Sequence, residues 1–439
     1  MKKCYVLLLF TMLGFTINAQ SVWDGTAMTW TKGDGTSTNP YLIENGQHLA
    51  YLSEQVRNGE TYKNKFFKLN NDLDMGATAD HKFTPIGVFD EYTDSSKPEL
   101  GIVDDSKYFL GVFDGNNKKI DNIHVFFIDE QSVGGTGLFA CISTGAAIKN
   151  LGIGENSIIE GGDGTGSLVG NMKGGIIENC YNEGLVTGIG GSFGTGGLIG
   201  VGEYGKITNC YNTGMVKGVS DVGGIVGYVD KNFTIDNCYN CGMNASGLFV
   251  GGLVGLMYAG TITNSYNIGM ISDGPLFVNA IVGATDMDPF IIKNCYYSKE
   301  LTNIGEEITN GISEKSVEEM KAASFITLLN GGQNPIAWTA DTRNINGGFP
   351  ILVWQSSPVT GIQNANEKTD CNIYVVDKSI VVECSENVPC QMNVINLNGK
   401  IINSQTFLQN NSLNITDSGI YIVTVNINGQ QYTSKVVIK

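Results

Sequence analysis

The sequence ITNCYNTG at residues 207–214 has four close copies elsewhere in the 439-residue chain. They are IENCYNEG at 177–184, IDNCYNCG at 235–242, ITNSYNIG at 262–269 and IKNCYYSK at 292–299. Aligned on the cysteine, or on Ser265 where serine replaces it, the units follow one another at intervals of 30, 28, 27 and 30 residues. A self-similar period of this length is typical of solenoid repeats.

A second motif repeats with the same period. It is a glycine-rich turn followed by two apolar residues and glycine, as in LVG at 168–170, LIG at 198–200, IVG at 225–227, LVG at 253–255 and IVG at 281–283. A weaker copy of the first motif, IKNLGIG, begins at Ile148 and carries Leu151 in the cysteine position. Six units therefore span about residues 135–300.

Each unit combines β-branched residues with glycine and asparagine, and a single unit cannot bury its apolar side chains alone. Coils stacked about 4.8 Å apart pair their backbones and enclose a common core. The sequence thus predicts an all-β fold, a right-handed parallel β-helix (solenoid) in which the repeated asparagine, cysteine and tyrosine stack in columns. Whether the cysteine or the tyrosine points inward stays open, because a bend at Asn209 would reverse the alternation of side chains.

The segments that flank the repeats predict short capping helices. Before the repeats, residues 47–57 predict a helix capped by Asn45, with Leu49, Leu52 and Val56 on one face. We expect this segment to cover the first coil, since an open solenoid end promotes aggregation.

After the repeats, Ser316 and Glu319 form a capping box, and Gly331 is a suitable helix end. We expect this helix to cover the other end of the solenoid, with residues 346–354 returning as a strand. Farther on, alternating apolar residues and Asn-Gly turns at 398–399 and 428–429 predict a small antiparallel β-sandwich.

The first residues predict export. Met1-Lys2-Lys3, a short apolar run and Ala19 are typical of a secretory signal peptide. The predicted organisation is a signal peptide at 1–19, an N-terminal cap with opening coils at 20–134, repeats at 135–300, a C-terminal cap at 301–354, a linker at 355–369 and the β-sandwich at 370–439. No later apolar stretch is long enough to span a membrane.

The chain is acidic, with a formal net charge of −16 and only two arginines, Arg57 and Arg343. Arginine-poor, acidic surfaces lack the groups that bind phosphate, so nucleic acid is not an expected partner.

The repeat units resemble the GLUG repeat of bacterial surface proteins, and the flanking pieces that extend this likeness cover about residues 24–354. The stretch that ends in GIYIVTVNINGQQYTSKVVIK at 419–439 resembles the C-terminal sorting domain of type IX secretion in Bacteroidetes. The resemblance implies a secreted or surface-displayed protein, often an adhesin, whose C-terminal domain contacts export or anchoring machinery. It implies no catalytic residues.

Three short motifs suggest chemistry, and their contexts argue against it. Residues 200–205 fit G-x-G-x-x-G, but a strand follows where a dinucleotide site needs a helix. Residues 190–194 fit G-x-S-x-G, but all three histidines lie upstream of a serine that would need one downstream. Cys238 and Cys241 form a lone C-x-x-C, and Cys238 already belongs to the repeat.

Cys384 and Cys390 flank a predicted hairpin, so they are either a disulfide or two thiols. No catalytic, cofactor-binding or metal-binding residue is assigned, and no cofactor is expected.

A polysaccharide lyase or glycosidase would need carboxylates on neighbouring coils. No repeat position stacks acids on adjacent units, although Asp163 and Asp221 share one position with Phe193 between them. Acids cluster instead in the insertion 90–107, at Asp90, Glu91, Asp94, Asp104 and Asp105. We expect a non-enzymatic protein that binds host matrix protein or glycan, and a lyase or glycosidase that uses the 90–107 carboxylates is the alternative.

Overall fold

The structure is a computed structural model. It describes residues 22–438, except for 77–80, 90–106, 128–134, 273–276, 287–288, 305–309, 357–370, 377, 385–388, 397–399, 409, 418 and 428–429. The predicted signal peptide, almost all of the acidic insertion, both Asn-Gly turns and most of the predicted linker lie outside the described residues. The chain divides into two compact units, Met1–Ser357 and Pro358–Lys439.

The first unit is a β-solenoid of about eight turns whose strands pair in parallel. Its four faces are named A to D. Face A has 14 strands: Tyr41–Ile43, Phe66–Leu69, Leu73–Asp74, Val112–Asp121, Ala147–Ile153, Ile176–Glu178, Tyr181–Asn182, Lys206–Thr208, Tyr211–Asn212, Phe233–Asp236, Tyr239–Asn240, Gly260–Asn267, Phe290–Tyr297 and Ile312–Glu314.

The other three faces are shorter. Face B comprises Phe139–Ser143, Val169–Lys173, Ile199–Glu203, Val226–Asp230, Val254–Met257 and Val282–Thr285. Face C comprises His124–Phe127, Ile158–Gly161, Leu185–Gly188, Val216–Lys217 and Asn244–Ala245. Face D comprises Thr165–Gly166, Thr195–Gly196, Asp221–Gly223, Phe249–Gly251 and Phe277–Asn279.

The strand registers confirm that the repeat units stack in alignment. Tyr211 pairs with Tyr181 on one side and with Tyr239 on the other, and the column continues to Tyr266 and Tyr296. The weaker copy takes its expected place, since Ile148 pairs with Ile177 and Gly152 with Tyr181. The repeated letters therefore build the columns that the sequence predicts.

The direction of the side chains follows from a bend at the first asparagine of the motif. Asn209 has a φ of +53°, and its counterparts Asn150, Asn179, Asn237, Asn264 and Asn294 share this left-handed conformation. Asparagine is among the few residues that adopt it readily. The bend lets Ile207 and Cys210 both point into the core, where each is fully buried, and turns Tyr211 outward.

The second asparagine of the motif forms a buried column of side-chain hydrogen bonds. Asn182 Nδ2 donates to Asn212 Oδ1 at 2.8 Å, Asn212 to Asn240 at 2.9 Å, and Asn240 to Asn267 at 2.9 Å. Each Nδ2 also donates to the carbonyl two residues farther on, as Asn212 does to Gly214 O at 2.8 Å. All four side chains are fully buried, so the bonds satisfy groups that would otherwise be costly in the interior.

The N-terminal helix is Gly46–Arg57, and Asn45 Oδ1 accepts a hydrogen bond from His48 N, as predicted. Leu49, Leu52 and Val56 are fully buried in the core that they share with the coils. The preceding strand, Tyr41–Ile43, pairs in parallel with Phe66–Leu69 and begins the stack of face A.

Four further helices follow the repeats: Lys299–Thr302, Val317–Lys321, Ala323–Asn330 and Val353–Ser356. The predicted capping box of Ser316 and Glu319 is present, but the predicted single helix is interrupted at Ala322, where φ is −76° and ψ is 149°. Gly331 ends the second part in the left-handed conformation.

Residues 316–356 run along the side of the coils. The sequence instead predicted that they cover the end of the solenoid. Trp338 contacts Tyr239 and Tyr266, with ring centroids 5.9 and 5.3 Å apart. Farther along the same column, Trp354 stacks at 5.8 Å on Tyr211. We name residues 316–356 the clasp; its short antiparallel pair, Trp338–Thr339 with Ile351–Leu352, lies between these contacts. The clasp buries the tyrosine column that the bend turns outward.

The second unit consists of two antiparallel sheets with a common core, which agrees with the predicted sandwich. One contains Cys371–Val376, Ser379–Cys384 and Asn410–Asn414, and the other Ile401–Leu408, Pro389–Asn396, Gly419–Ile427 and Gln430–Ile438. The predicted hairpin between Cys384 and Cys390 is wrong, because their strands belong to different sheets. Cys384 instead pairs across the sheet with Cys371. The disulfide stays a prediction, because the Cys384 side chain lies outside the described part.

Candidate functional site

The three sequence motifs that resemble catalytic signatures lie on structural turns and strands. Residues 200–205 cover most of the strand Ile199–Glu203 and the turn to Lys206–Thr208, so no helix follows. Residues 190–194 form a turn between Leu185–Gly188 and Thr195–Gly196. The motif at 190–194 is a turn of the solenoid, and that at 200–205 is a strand of face B with the turn that follows it.

The two cysteines of the C-x-x-C motif do not act together. Cys238 points into the solenoid core, whereas Cys241 packs on the clasp side, with its Sγ 3.3 Å from Asn346 Oδ1. Burial raises the pKa of the Cys241 thiol to about 12, which disfavours the reactive thiolate. Within the described ranges, His, Cys, Asp and Glu side chains do not gather in threes around a possible metal position.

Along one side of the solenoid the outer positions of faces D and B lie next to each other. In each coil a strand of face D is followed closely by a strand of face B. A Cβ placed on Gly164 of face D would lie 2.5 Å from Asn171 Nδ2 of face B, and one placed on Gly194 would lie 2.9 Å from Val201 Cγ2. In these two coils the outer positions of faces D and B therefore touch.

We name this surface the lateral groove and define it by its outer positions. Those on face D are Gly164, Gly194, Asp221, Phe249 and Phe277, and those on face B are Asn171, Val201, Tyr228, Leu256 and Ala284. Unlike the inward positions, these vary from coil to coil. The groove is the part of the solenoid where chemistry changes along the axis.

Three of the groove positions are aromatic, Tyr228, Phe249 and Phe277, and two further rings, Phe193 and Tyr258, lie close to groove positions in the chain. The rings of Phe193 and Tyr228 have centroids 4.9 Å apart, and those of Tyr228 and Tyr258 are 5.5 Å apart. Phe249 and Phe277 stack at 5.3 Å with an interplanar angle of 8°. Phe193 is 43% exposed and Phe277 is 52% exposed. The five rings form two groups, Phe193 with Tyr228 and Tyr258, and Phe249 with Phe277, and within each group the centroid spacing is close to the strand separation of about 4.8 Å.

Phe193 is held in place by its backbone. Its N–H donates to Asp163 Oδ1 at 2.8 Å, and Asp163 belongs to the preceding coil. The ring then reaches forward to Tyr228 in the following coil. The Phe193 side chain therefore crosses from its own coil to the next one. The outer position of face D is Gly194 in the first of these coils and Asp221 in the second.

Asp221 is the unusual polar group of the groove. It is fully buried, and its Oδ1 accepts a hydrogen bond of 3.0 Å from Ser220 Oγ. Its Oδ2 has no donor within hydrogen-bonding distance among the described residues. Burial raises the pKa of Asp221 to about 6. Burial raises the pKa of Tyr228, and the negative charges of Asp230, Glu203 and Asp221 act in the same direction.

A second acid close to the groove, Glu203, is fully engaged. Lys173 Nζ and Lys231 Nζ lie 2.6 and 2.9 Å from its two carboxylate oxygens. Burial acts to raise the pKa of Glu203, but the hydrogen bonds from the two lysines outweigh burial and the pKa is lowered. The two lysines thus neutralise the charge of Glu203, whereas Asp221 forms no ion pair among the described residues.

Some of the residues at the groove were already singled out in the sequence analysis. Asp163, Phe193 and Asp221 share one repeat position or lie beside it, and the structure brings all three to the groove. Tyr228 and Tyr258 were missed because they belong to another face of the coil. The acids of the 90–107 insertion lie outside the described residues.

Comparisons with known proteins agree with this architecture. The model of the GLUG motif matches residues 191–217, and that of the secretion system C-terminal sorting domain matches residues 376–439. The resemblance to a GLUG-repeat surface protein with a sorting domain is therefore confirmed, and the origin in Bacteroidetes stays a prediction.

Two curated proteins are similar to part of the chain. Halomucin from Haloquadratum walsbyi is 31% identical over 38% of this chain, and a putative Gly-rich membrane protein from Evansella cellulosilytica is 32% identical over 39%. The matched regions cover 2% and 18% of those proteins. No solved structure matches the chain.

The sorting domain identifies a secreted or cell-surface protein. It also implies contact with the secretion machinery. Membrane-spanning length and apolarity are not found together in any helix of the described residues.

Proposed function

We propose that this secreted or surface-displayed protein is an adhesion protein that binds a polymeric glycan along its lateral groove. The observation that carries the proposal is the two groups of neighbouring rings at the groove, Phe193 with Tyr228 and Tyr258, and Phe249 with Phe277. Aromatic faces are amphipathic contact surfaces that lose little side-chain entropy on binding, and stacked rings suit the flat apolar faces of sugars. Similar positions on successive coils suit a ligand that itself repeats.

The regular backbone favours a preorganised site. Phe193 is fixed by Asp163, Tyr228 lies on the paired strand Val226–Asp230, and Phe249 and Phe277 occupy paired strands of face D. Ligand binding then orders few side chains, which lowers its entropic cost. The variation of the groove from coil to coil gives the ligand a single preferred register.

A glycan and matrix-protein array tests the proposal. The mature chain, residues 20–439, should bind one or more polysaccharides, and the triple variant F193A/Y228A/Y258A should lose at least tenfold in affinity. The matched control is F126A, which removes a ring that is 38% exposed on face C. Equal loss in the control, or binding only to matrix proteins with the triple variant unaffected, would contradict the assignment to the groove.

The same purified chain also tests the lyase or glycosidase alternative, which no described contact favours. Incubation with each bound polysaccharide should leave its chain length unchanged. Release of shorter products, abolished by Asp104→Asn with Asp105→Asn, would establish an enzyme and overturn a purely adhesive role.

A further inference from the structure

Asp221 is fully buried, and its Oδ2 has no hydrogen-bond partner among the described residues. A buried ionised carboxylate normally has a cation or several donors, because leaving it unpaired in a poorly solvated site costs several kcal/mol. Here one neutral hydroxyl, Ser220 Oγ, is the sole donor whose bond is recorded within the described ranges. The fold gains nothing evident from this arrangement.

The carboxylate points toward the groove. Side chains alternate along a strand, and Val222 points into the solenoid core, so its neighbour Asp221 points to the outer side of face D. There it lies beside Tyr228 of face B, as Gly194 lies beside Val201 one coil earlier. The ring of Phe193, which belongs to the preceding coil, contacts the ring of Tyr228 with centroids 4.9 Å apart.

No cation is paired with Asp221 among the described residues. Lys173 and Lys231, which lie on face B and next to it, both bind Glu203. The ion pairs found in the described ranges do not include Asp221. Asp163 and Asp230 add further negative charge near the groove, in a chain whose formal net charge is −16. The electrostatics of the groove therefore favour a positively charged ligand and oppose an acidic glycan.

An ammonium group fits these surroundings. Cations are attracted to the faces of phenylalanine and tyrosine rings, and a carboxylate accepts their N–H groups in short charge-assisted hydrogen bonds. We infer that the lateral groove binds a glycan with free amino groups, and that the ammonium of one sugar residue binds Asp221 beside the rings of Phe193 and Tyr228. This inference rests on the proposed function and specifies its class of ligand.

Because Asp221 is fully buried, an ammonium group reaches it only after a neighbouring side chain moves, and Phe193, which is 43% exposed, is the candidate. The turn that carries it is open, because a Cβ on Gly190 or Gly191 would have no neighbour within 4 Å. Gly190 and Gly194, with φ of +71° and +73°, border the turn.

The test compares chitosan oligomers, whose amines are free, with chitin oligomers of equal length, whose amines are acetylated. Titration calorimetry with the full mature chain at pH 6.5 should show at least tenfold tighter binding of the amino oligomer. D221N should remove this preference and leave the affinity for the acetylated oligomer unchanged. D230N, which also removes one negative charge near the groove, should keep the preference.

The outcomes separate the inference from the proposed function. Equal binding of both oligomers by the wild type, or an unchanged preference in D221N, would overturn the inference while groove-dependent glycan binding stands. Failure to bind any glycan would overturn both. Tighter binding of a lysine-rich peptide than of chitosan would assign the site to a protein ligand and refute the glycan class.

A second variant keeps the test valid if D221N folds poorly. Y228L removes an aromatic face at similar volume, so it should lower chitosan affinity while circular dichroism stays unchanged. Wild-type affinity for chitosan in a folded Y228L protein would count against the inference.

Discussion

Substitution of Asn212 tests whether the buried asparagine column holds the coils together. Its side chain takes part in three hydrogen bonds: it donates to Gly214 O at 2.8 Å and to Asn240 Oδ1 at 2.9 Å, and it accepts from Asn182 Nδ2 at 2.8 Å. A buried neutral hydrogen bond contributes about 1 kcal/mol net. Asn212→Ala should therefore lower the free energy of unfolding by about 3 kcal/mol.

Asn212→Asp sharpens the same test because the two variants differ in pH dependence. A carboxylate keeps the acceptor but places a negative oxygen against Asn240 Oδ1 and Gly214 O, so at pH 7 it should cost more than alanine. Burial should raise the pKa of the new carboxyl above its unfolded value of about 3.9. The folded state then binds the proton more tightly, and the variant should regain stability as the pH falls from 7 toward 4.

Guanidinium unfolding of the mature chain, followed by tryptophan fluorescence, measures both effects, because Trp338 and Trp354 lie on the stacked tyrosines. The control is Thr213→Ala, which changes the exposed neighbour of Asn212 in the same coil. If the free energy of unfolding of the Asn212→Ala variant lies within about 0.5 kcal/mol of that of the control, the asparagine column does not stabilise the fold. If the stabilities of the Asn212→Ala and Asn212→Asp variants depend on pH in the same way, the buried carboxylate does not have the raised pKa that we expect.

Three further predictions concern the clasp, the groove and the cysteine column. Trp354→Ala removes a stacking contact with Tyr211 and a 2.9 Å bond from Nε1 to Asn209 O, so it should cost about 2–3 kcal/mol and raise hydrogen exchange in residues 316–356 more than elsewhere. Asp221→Asn should stabilise the protein above pH 6 by up to about 3 kcal/mol, since the pKa rises from 3.8 to about 6 on folding, and thermal unfolding should show this gain vanishing toward pH 4. Ser265→Cys restores the residue that the other coils carry, and its unfolding free energy should change by less than about 1 kcal/mol. A gain for Asp221→Asn that is the same at pH 4 and pH 8, or a large loss for Ser265→Cys, would contradict the assigned environments.

The stacking of the coils was predictable because it depends on letters that recur. Ile207, Cys210, Tyr211 and Asn212 each pair or stack with the same letters in the neighbouring coils, so the repeat interval alone sets the register. The inward direction of the cysteine was not predictable, because it depends on the φ of Asn209. Asparagine adopts both signs of φ, and only the closed coil decides between them.

The clasp was predicted as helices but not as a cover for the tyrosines. Ser316, Glu319 and Gly331 are local signals that act within a few residues, and they describe the helix ends correctly. The docking of Trp338 and Trp354 joins residues more than 100 positions apart, and no local pattern encodes such a contact. Once the bend turns the tyrosines outward, some other segment must bury them, because an exposed column of rings would be an aggregation surface.

The residues of the groove could not be predicted from the repeat. The inward residues of the coils must stay alike, since each fills the same core and a change there leaves a cavity or a clash. The outer positions of face D carry glycine, glycine, aspartate, phenylalanine and phenylalanine in order along the axis, on strands with the same pairing. Packing of the core therefore does not select these side chains. The buried carboxylate of Asp221 even opposes stability near neutral pH, and a group that costs stability without a structural role is expected at a site of recognition. Function in this solenoid should accordingly be sought at the positions where neighbouring coils differ.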